Sequence, residues 1–178
     1  MNRSGSSRAR PFPAEWTVER WRAEYLRENG FTLEAYDAPR TPASFLGISF
    51  GVPNTPHHRW GIMLHDLHHL ATGYGTDIPG EAEVSAWEMR RGLRPLGLYV
   101  GSIVTAGVLA GIFAAPRRTL RAWRTSQGGG SLFHDGHSYE ELLGLTLAEL
   151  RTLLRVPRDG LSTRRRGLHS LAPDRARP

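Results

Sequence analysis

Cysteine and lysine are both missing from the 178 residues of this chain. The first absence excludes a disulfide framework and a thiolate-bound structural zinc, so any metal would have to be held by imidazoles and carboxylates. It is compatible with a reducing compartment without requiring one. The second makes every one of the 23 cationic side chains an arginine. The arginines of residues 1–13 have no apolar run behind them, so no secretory signal is expected. Length and a hydrophobic content of 39% fit one domain with one sizeable core.

What the chain has in excess is positive charge, +6 in all, and its placement decides what it means. Arg3, Arg8 and Arg10 lie before residue 13, and Arg158, Arg164, Arg165, Arg166, Arg175 and Arg177 lie after residue 156. Without those nine arginines and the neighbouring Asp159 and Asp174, the rest holds 14 basic against 15 acidic residues. The body is therefore not a basic nucleic-acid module, and no nucleic acid is expected as a partner. Both ends mix arginine with Ser, Gly and Pro and lack apolar periodicity. They read as disordered tails, 1–12 and 157–178, around a helical domain at 13–156. A cluster such as Arg164-Arg165-Arg166 is attracted to anionic headgroups at about 1 kcal/mol per charge, which would hold the protein near a bilayer. A solvated tail without a role is the equal alternative.

The most informative stretch is His65-Asp66-Leu67-His68-His69, followed after eleven residues by Glu81. In a helix, residues four apart share a face about 6 Å apart, so His65 and His69 can aim two ring nitrogens at one ion. Asp66, three before His69, borders that face as a ligand or as an acceptor for a ligating imidazole. The segment Thr72 to Gly80 is rich in turn residues, which ends the first helix near Ala71 and reverses the chain. Thr55 with Pro56 starts that helix. Asp77 with Pro79 starts the next, on which Glu81, Val84, Ser85 and Glu88 share a face. Two short-linked helices pack antiparallel, which brings Glu81 opposite His69. Two His, one Glu and an Asp form a borderline-hard donor set suited to zinc, iron, cobalt or manganese, with room for water or substrate. The bland alternative is a set of polar residues on an exposed helix. Glu88 is a weaker candidate for proton transfer, His68 has no settled role, and His58, seven before His65, reads as surface or packing.

The same residues resemble the coenzyme Q biosynthesis protein 4 family, whose hallmark is H-D-x-x-H, eleven residues, then E. Here that pattern is His65, Asp66, His69 and Glu81. The likeness runs through H-D-L-H-H-L-A-T-G-Y-G-T-D-I-P-G-E-A-E-V-S-A-W-E, His65 to Glu88. A weaker likeness, Y-E-E-L-L-G-L-T-L-A-E-L-R-T-L-L-R-V, lies within Ser138 to Val156, and the whole covers roughly residues 30 to 156. The resemblance implies an all-helical protein of ubiquinone synthesis, cytoplasmic and peripheral on the inner face of a bacterial cell membrane. It implies a divalent metal, zinc first and iron, cobalt or manganese next, on His65, Asp66, His69 and Glu81, which would also be the catalytic residues. The substrate class would be a polyprenylated hydroxybenzoate-type ring, handled by a lyase-type decarboxylase with hydroxylation at the same C1 carbon. Implied partners are an isoprenoid quinone precursor, the membrane surface and other quinone-biosynthesis enzymes organised into a complex. A homodimer stays open.

Caps and breakers place the remaining segments. Pro13 to Asn29 reads as an amphipathic helix stopped by Gly30. Residues 38–52, interrupted by Pro39 and Pro42, read as a loop with a short apolar element around Phe45, Ile48 and Phe50 packed on the core. Leu96 to Ala115 carries no charge over twenty residues, about enough to cross a bilayer, and Gly97/Gly101 and Gly107/Gly111 repeat at four. Three readings stay open for it: a core helix whose glycines leave a groove for a polyprenyl tail, insertion into one leaflet, or a true span. A short arginine-rich helix follows from Pro116 to Gln127. Two capping boxes, Ser138/Glu141 and Thr146/Glu149, start two closing helices. His134-Asp135-Gly136-His137 reads as a surface loop. The expected fold class is all-α, a compact helical bundle with a buried metal site between two antiparallel helices and flexible basic tails.

Two other function classes compete. His65-x-x-His68-His69 looks like one histidine box of the membrane di-iron hydroxylases, but those need several boxes at the ends of several spans. A non-catalytic isoprenoid- or quinone-lipid-binding scaffold with a structural metal would use the same ligands.

Overall fold

Capping residues set where five of the seven helices begin in the computed structural model, which describes residues 13–45 and 48–163 and gives side chains for these except at 42–45 and 48–50. The expected tail at 1–12 and the Arg164-Arg165-Arg166 cluster lie outside the described residues, as do the side chains of Phe45, Ile48 and Phe50. Helix α1 spans Val18–Asn29. Thr17 caps it by accepting the Arg20 N–H, and Gly30 ends it in the left-handed region that only glycine enters freely. It starts five residues after the expected Pro13, because the backbone of 14–18 bonds elsewhere. Val18 N–H donates to the Leu145 carbonyl at 2.7 Å and Leu147 N–H to the Trp16 carbonyl at 3.0 Å.

The fold is mostly helical, with seven helices among the described residues, but it is not purely so. Strands β1 (Arg40–Phe45) and β2 (Ile48–Pro53) pair antiparallel, from Arg40 opposite Pro53 to Phe45 opposite Ile48. The sequence reading took Pro39 and Pro42 as breakers here. A two-stranded ribbon leaves one edge of each strand unpaired, and such an edge tolerates a proline without an N–H.

Helices α2 (Pro56–Thr72) and α3 (Ile78–Arg91) follow. Thr55 and Asp77 cap them by accepting the N–H groups of His58 and Gly80, as their sequence signatures predict. Gly73, at φ 75°, closes α2. The far end of α2 is held from a distance as well. The buried Arg151 guanidinium donates to the Ala71 carbonyl at 2.9 Å, and the Leu161 and Ser162 N–H groups donate to the Thr72 carbonyl at 2.7 and 3.2 Å. These bonds take up carbonyls that a helix end leaves without intrahelical partners. They also keep the chain packed to residue 162, so the C-terminal tail expected from 157 does not begin there.

Helices α4 (Gly97–Ala114) and α5 (Pro116–Thr125) pack on α3, and the short α6 (Tyr139–Gly144) and α7 (Leu147–Leu153) close the bundle against α1 and α2. Both capping boxes form, on Ser138/Glu141 and Thr146/Glu149. One core joins Trp21 and Tyr25 of α1, Leu64 and Leu67 of α2, Val84 and Trp87 of α3, and Leu142, Leu147 and Leu150 of the closing helices. Fully burying a large apolar side chain contributes about 1.5–3 kcal/mol.

The uncharged helix α4 has two unlike faces. Arg94–Ala114 is long and apolar enough to cross a membrane by length and composition. Val100, Val104, Val108 and Gly111 face inward, while Leu98 is 95% and Phe113 87% exposed. The four glycines divide between two tasks. A Cβ on Gly107 would meet Ser85 Oγ at 2.7 Å, and one on Gly111 would collide with Ala82 and Thr119, so these two let α4 approach α3 and α5 closely. Gly97 and Gly101 have no such neighbours and line an outer groove of about 720 Å3 with Leu93, Leu98, Ala106 and Leu109.

Candidate metal centre

α2 and α3 meet where α3 begins. A side chain on Gly80 would collide with the Gly75 carbonyl, so only glycine lets the linker lie against the first turn of α3. The next residue, Glu81, is thereby delivered to the last turns of α2. His65 Nε2 and His69 Nε2 lie 3.1 Å apart, and Glu81 Oε2 lies 3.2 Å from the first and 3.4 Å from the second. Tetrahedral ligands on zinc–ligand bonds of about 2.0–2.1 Å are separated by about 3.3–3.4 Å, so these atoms form close to one face of such a tetrahedron. The cluster of His65, His69 and Glu81 could hold a metal ion.

The other ring nitrogens are already engaged. His69 Nδ1–H donates to the Tyr74 carbonyl at 3.1 Å, which leaves His69 Nε2 as a lone pair. His65 Nδ1 lies 2.9 Å from Glu88 Oε1. Three electron-rich atoms thus converge, and a cation or a shared proton is needed to relieve their repulsion. The electrostatics agree. Burial alone would raise the Glu81 carboxyl, yet His69 and His65 hold it well below the usual carboxylate range. Burial would favour neutral His65, yet Glu88 and Glu81 raise its pKa well above the ordinary imidazole value. Burial would also raise Glu88, but His65 and His68 bring it down to about 2. For His68 burial prevails over Glu88, and its pKa falls.

The centre is half-open rather than buried. The His69 side chain is 1% exposed, His65 23% and Glu81 44%, so the way in lies on the Glu81 side. Asp66, expected as a ligand or as an acceptor for a ligating imidazole, is placed otherwise. Its carboxylate is buried, with Oδ1 accepting from the Tyr25 hydroxyl at 3.2 Å and Oδ2 from the Tyr36 hydroxyl. Burial pushes the Asp66 carboxyl up, against the hydrogen bond from Tyr36 and the nearby His65 and His69. Tyr25 also stacks on His69, with ring centroids 6.0 Å apart, so Asp66 braces the site through tyrosine.

His58 is buried and packs edge-on against Tyr99, in keeping with a packing role. His134 and His137 are exposed; the first contacts the Gly92 carbonyl at 3.1 Å and the second contacts Asp135. What the sequence reading missed is His68, fully buried and 2.7 Å from Glu88. Its spacing of three from His65 was the available signal. No family model, curated protein or solved structure matches the chain.

Proposed function

We propose that this chain is a metal-dependent protein of quinone synthesis, peripheral to a cytoplasmic membrane face, that acts on a polyprenylated hydroxybenzoate-type ring. The reading rests on the resemblance to the coenzyme Q biosynthesis protein 4 family. The single observation that carries it is that three residues of that signature, His65, His69 and Glu81, converge as one triangle of donor atoms. Zinc suits two imidazoles, one carboxylate and an open position best, with iron, cobalt or manganese next. When bound, the cation supplies Lewis acidity toward a ring hydroxyl or carboxylate oxygen.

The chain's own residues supply the setting. His69 is immobilised by the Tyr74 carbonyl and by Tyr25. The partly exposed Glu81 marks the side from which the ring enters. The outer groove of α4 suits a polyprenyl tail, and its exposed Leu98 and Phe113, with Arg94, Arg117, Arg121 and Arg124 nearby in the chain, suit an acyl layer beneath anionic headgroups. The reaction proposed is loss of the C1 carboxylate as CO2 with hydroxylation of that carbon: water supplies the hydroxyl oxygen, and dioxygen takes up the two electrons and two protons and leaves as hydrogen peroxide.

Metal-loaded protein incubated under air with a prenylated hydroxybenzoate in vesicles tests this by mass spectrometry of the ring product. The expected result is a decarboxylated, hydroxylated ring that the His65→Ala variant does not form. Saturable binding without product would instead favour the scaffold with a structural metal. Neither binding nor product would overturn both.

A further inference from the structure

Glu88 and His68 are fully buried beside the donor triangle, and the function proposed above gives neither a task. A backbone N–H only donates, so the 3.1 Å bond from Leu132 N–H to His68 Nε2 makes that nitrogen an acceptor. The proton of neutral His68 then sits on Nδ1, 2.7 Å from Glu88 Oε1, and donates to it. The same carboxylate oxygen lies 2.9 Å from His65 Nδ1 and accepts from it. With Nδ1–H committed to Glu88, Nε2 is the nitrogen that neutral His65 offers to a cation, and it is turned toward His69 and Glu81. The other Glu88 oxygen is buried with no partner among the described residues. Such an oxygen is costly, so filling space does not account for the carboxylate.

We propose that Glu88 and His68 are positioning residues of the metal site, a carboxylate and an imidazole in series that fix the tautomer and ring angle of His65 from the backbone of Leu132. The inference rests on the metal reading and deepens it. A carboxylate on the far nitrogen makes the near one a better donor and stops the ring from turning. His68 is rigid in its turn, with Trp87 and Phe133 ring centroids 5.0 and 4.9 Å away. Cation affinity is therefore set in part by a turn 64 residues beyond His68 in the chain.

The test compares zinc affinity, by competition with a chromophoric chelator, in the parent, Glu88→Gln and His68→Phe. Glu88→Gln keeps the shape and is expected to bind about 10- to 100-fold more weakly. His68→Phe keeps the aromatic packing and is expected to show a smaller loss. Visible spectra of the cobalt(II)-loaded proteins should differ from the parent in both variants, and nitrogen NMR of the zinc-loaded parent should find His65 protonated on Nδ1. Parental affinity with an unchanged cobalt spectrum in Glu88→Gln, or metal on His65 Nδ1, overturns the inference and leaves the metal reading standing. A parent that binds neither zinc nor cobalt overturns that reading first. If Glu88→Gln does not fold, His68→Phe and the parent's NMR tautomer decide.

Discussion

Asp66→Ala removes the acceptor of two buried hydroxyls without touching the donor triangle, so it is expected to lower stability and spare the metal. The Tyr25 and Tyr36 hydroxyls both end on this carboxylate. Hydrogen bonds to a charged group contribute about 1.5–3 kcal/mol each, and hydroxyls left unsatisfied in the core add a further penalty. Against this stands the unfavourable burial of the charge itself, which raises the Asp66 carboxyl in the face of its tyrosine and histidine neighbours and returns part of the loss. A net of about 3–4 kcal/mol remains, which at roughly 2–4 °C per kcal/mol for a chain of this size lowers Tm by about 6–16 °C. Asp66→Asn keeps one oxygen and the volume, so about half that fall is expected. The assay is thermal melting of each variant with and without chelator, beside metal counted per chain. A variant that melts like the parent yet loses its metal would make Asp66 a ligand and refute the reasoning.

Gly80→Ala places a methyl against the Gly75 carbonyl and must shift the first turn of α3. It is expected to cost about 1–3 kcal/mol and, by moving Glu81, to weaken zinc binding about tenfold or more with all three ligands present, read by chelator competition. Arg151→Met strips the Leu70 and Ala71 carbonyls at the end of α2 of their charged donors. A loss of about 2–4 kcal/mol is expected, with faster amide exchange in the last turn of α2 as the check. Zinc must displace the proton that Glu88 and Glu81 hold on His65 against its burial, so affinity should rise with pH, about tenfold per unit while one proton is released. In the metal-free protein the sign reverses. A raised folded pKa stabilises fully below the unfolded value of about 6.5, and this contribution fades as pH climbs through the folded one, which melting curves of chelator-treated protein would follow.

Local chemistry was readable from the sequence, and long-range chemistry was not. Thr55, Asp77, Ser138 and Thr146 cap within three residues of themselves, so the starts of four helices follow from short patterns. The approach of Glu81 to His65 and His69 was legible for the same reason, since one short linker decides it. Asp66 was misplaced because its partners Tyr25 and Tyr36 come from 41 and 30 residues earlier, where no local pattern announces them. The acceptor state of His68 depends on Leu132 and was beyond any helical spacing. For α4, an apolar residue on every side left no signal for the inward face. Packing chose it, through Gly107 and Gly111.

Elemental analysis of the purified chain beside His65→Ala and Glu81→Ala tests the central claim most directly. The arrangement of His65, His69 and Glu81 predicts about one divalent metal per chain in the parent and a substantial loss in both variants, with folding retained by circular dichroism. A parent free of metal after loading, or a Glu81→Ala variant that keeps its full complement, would contradict it.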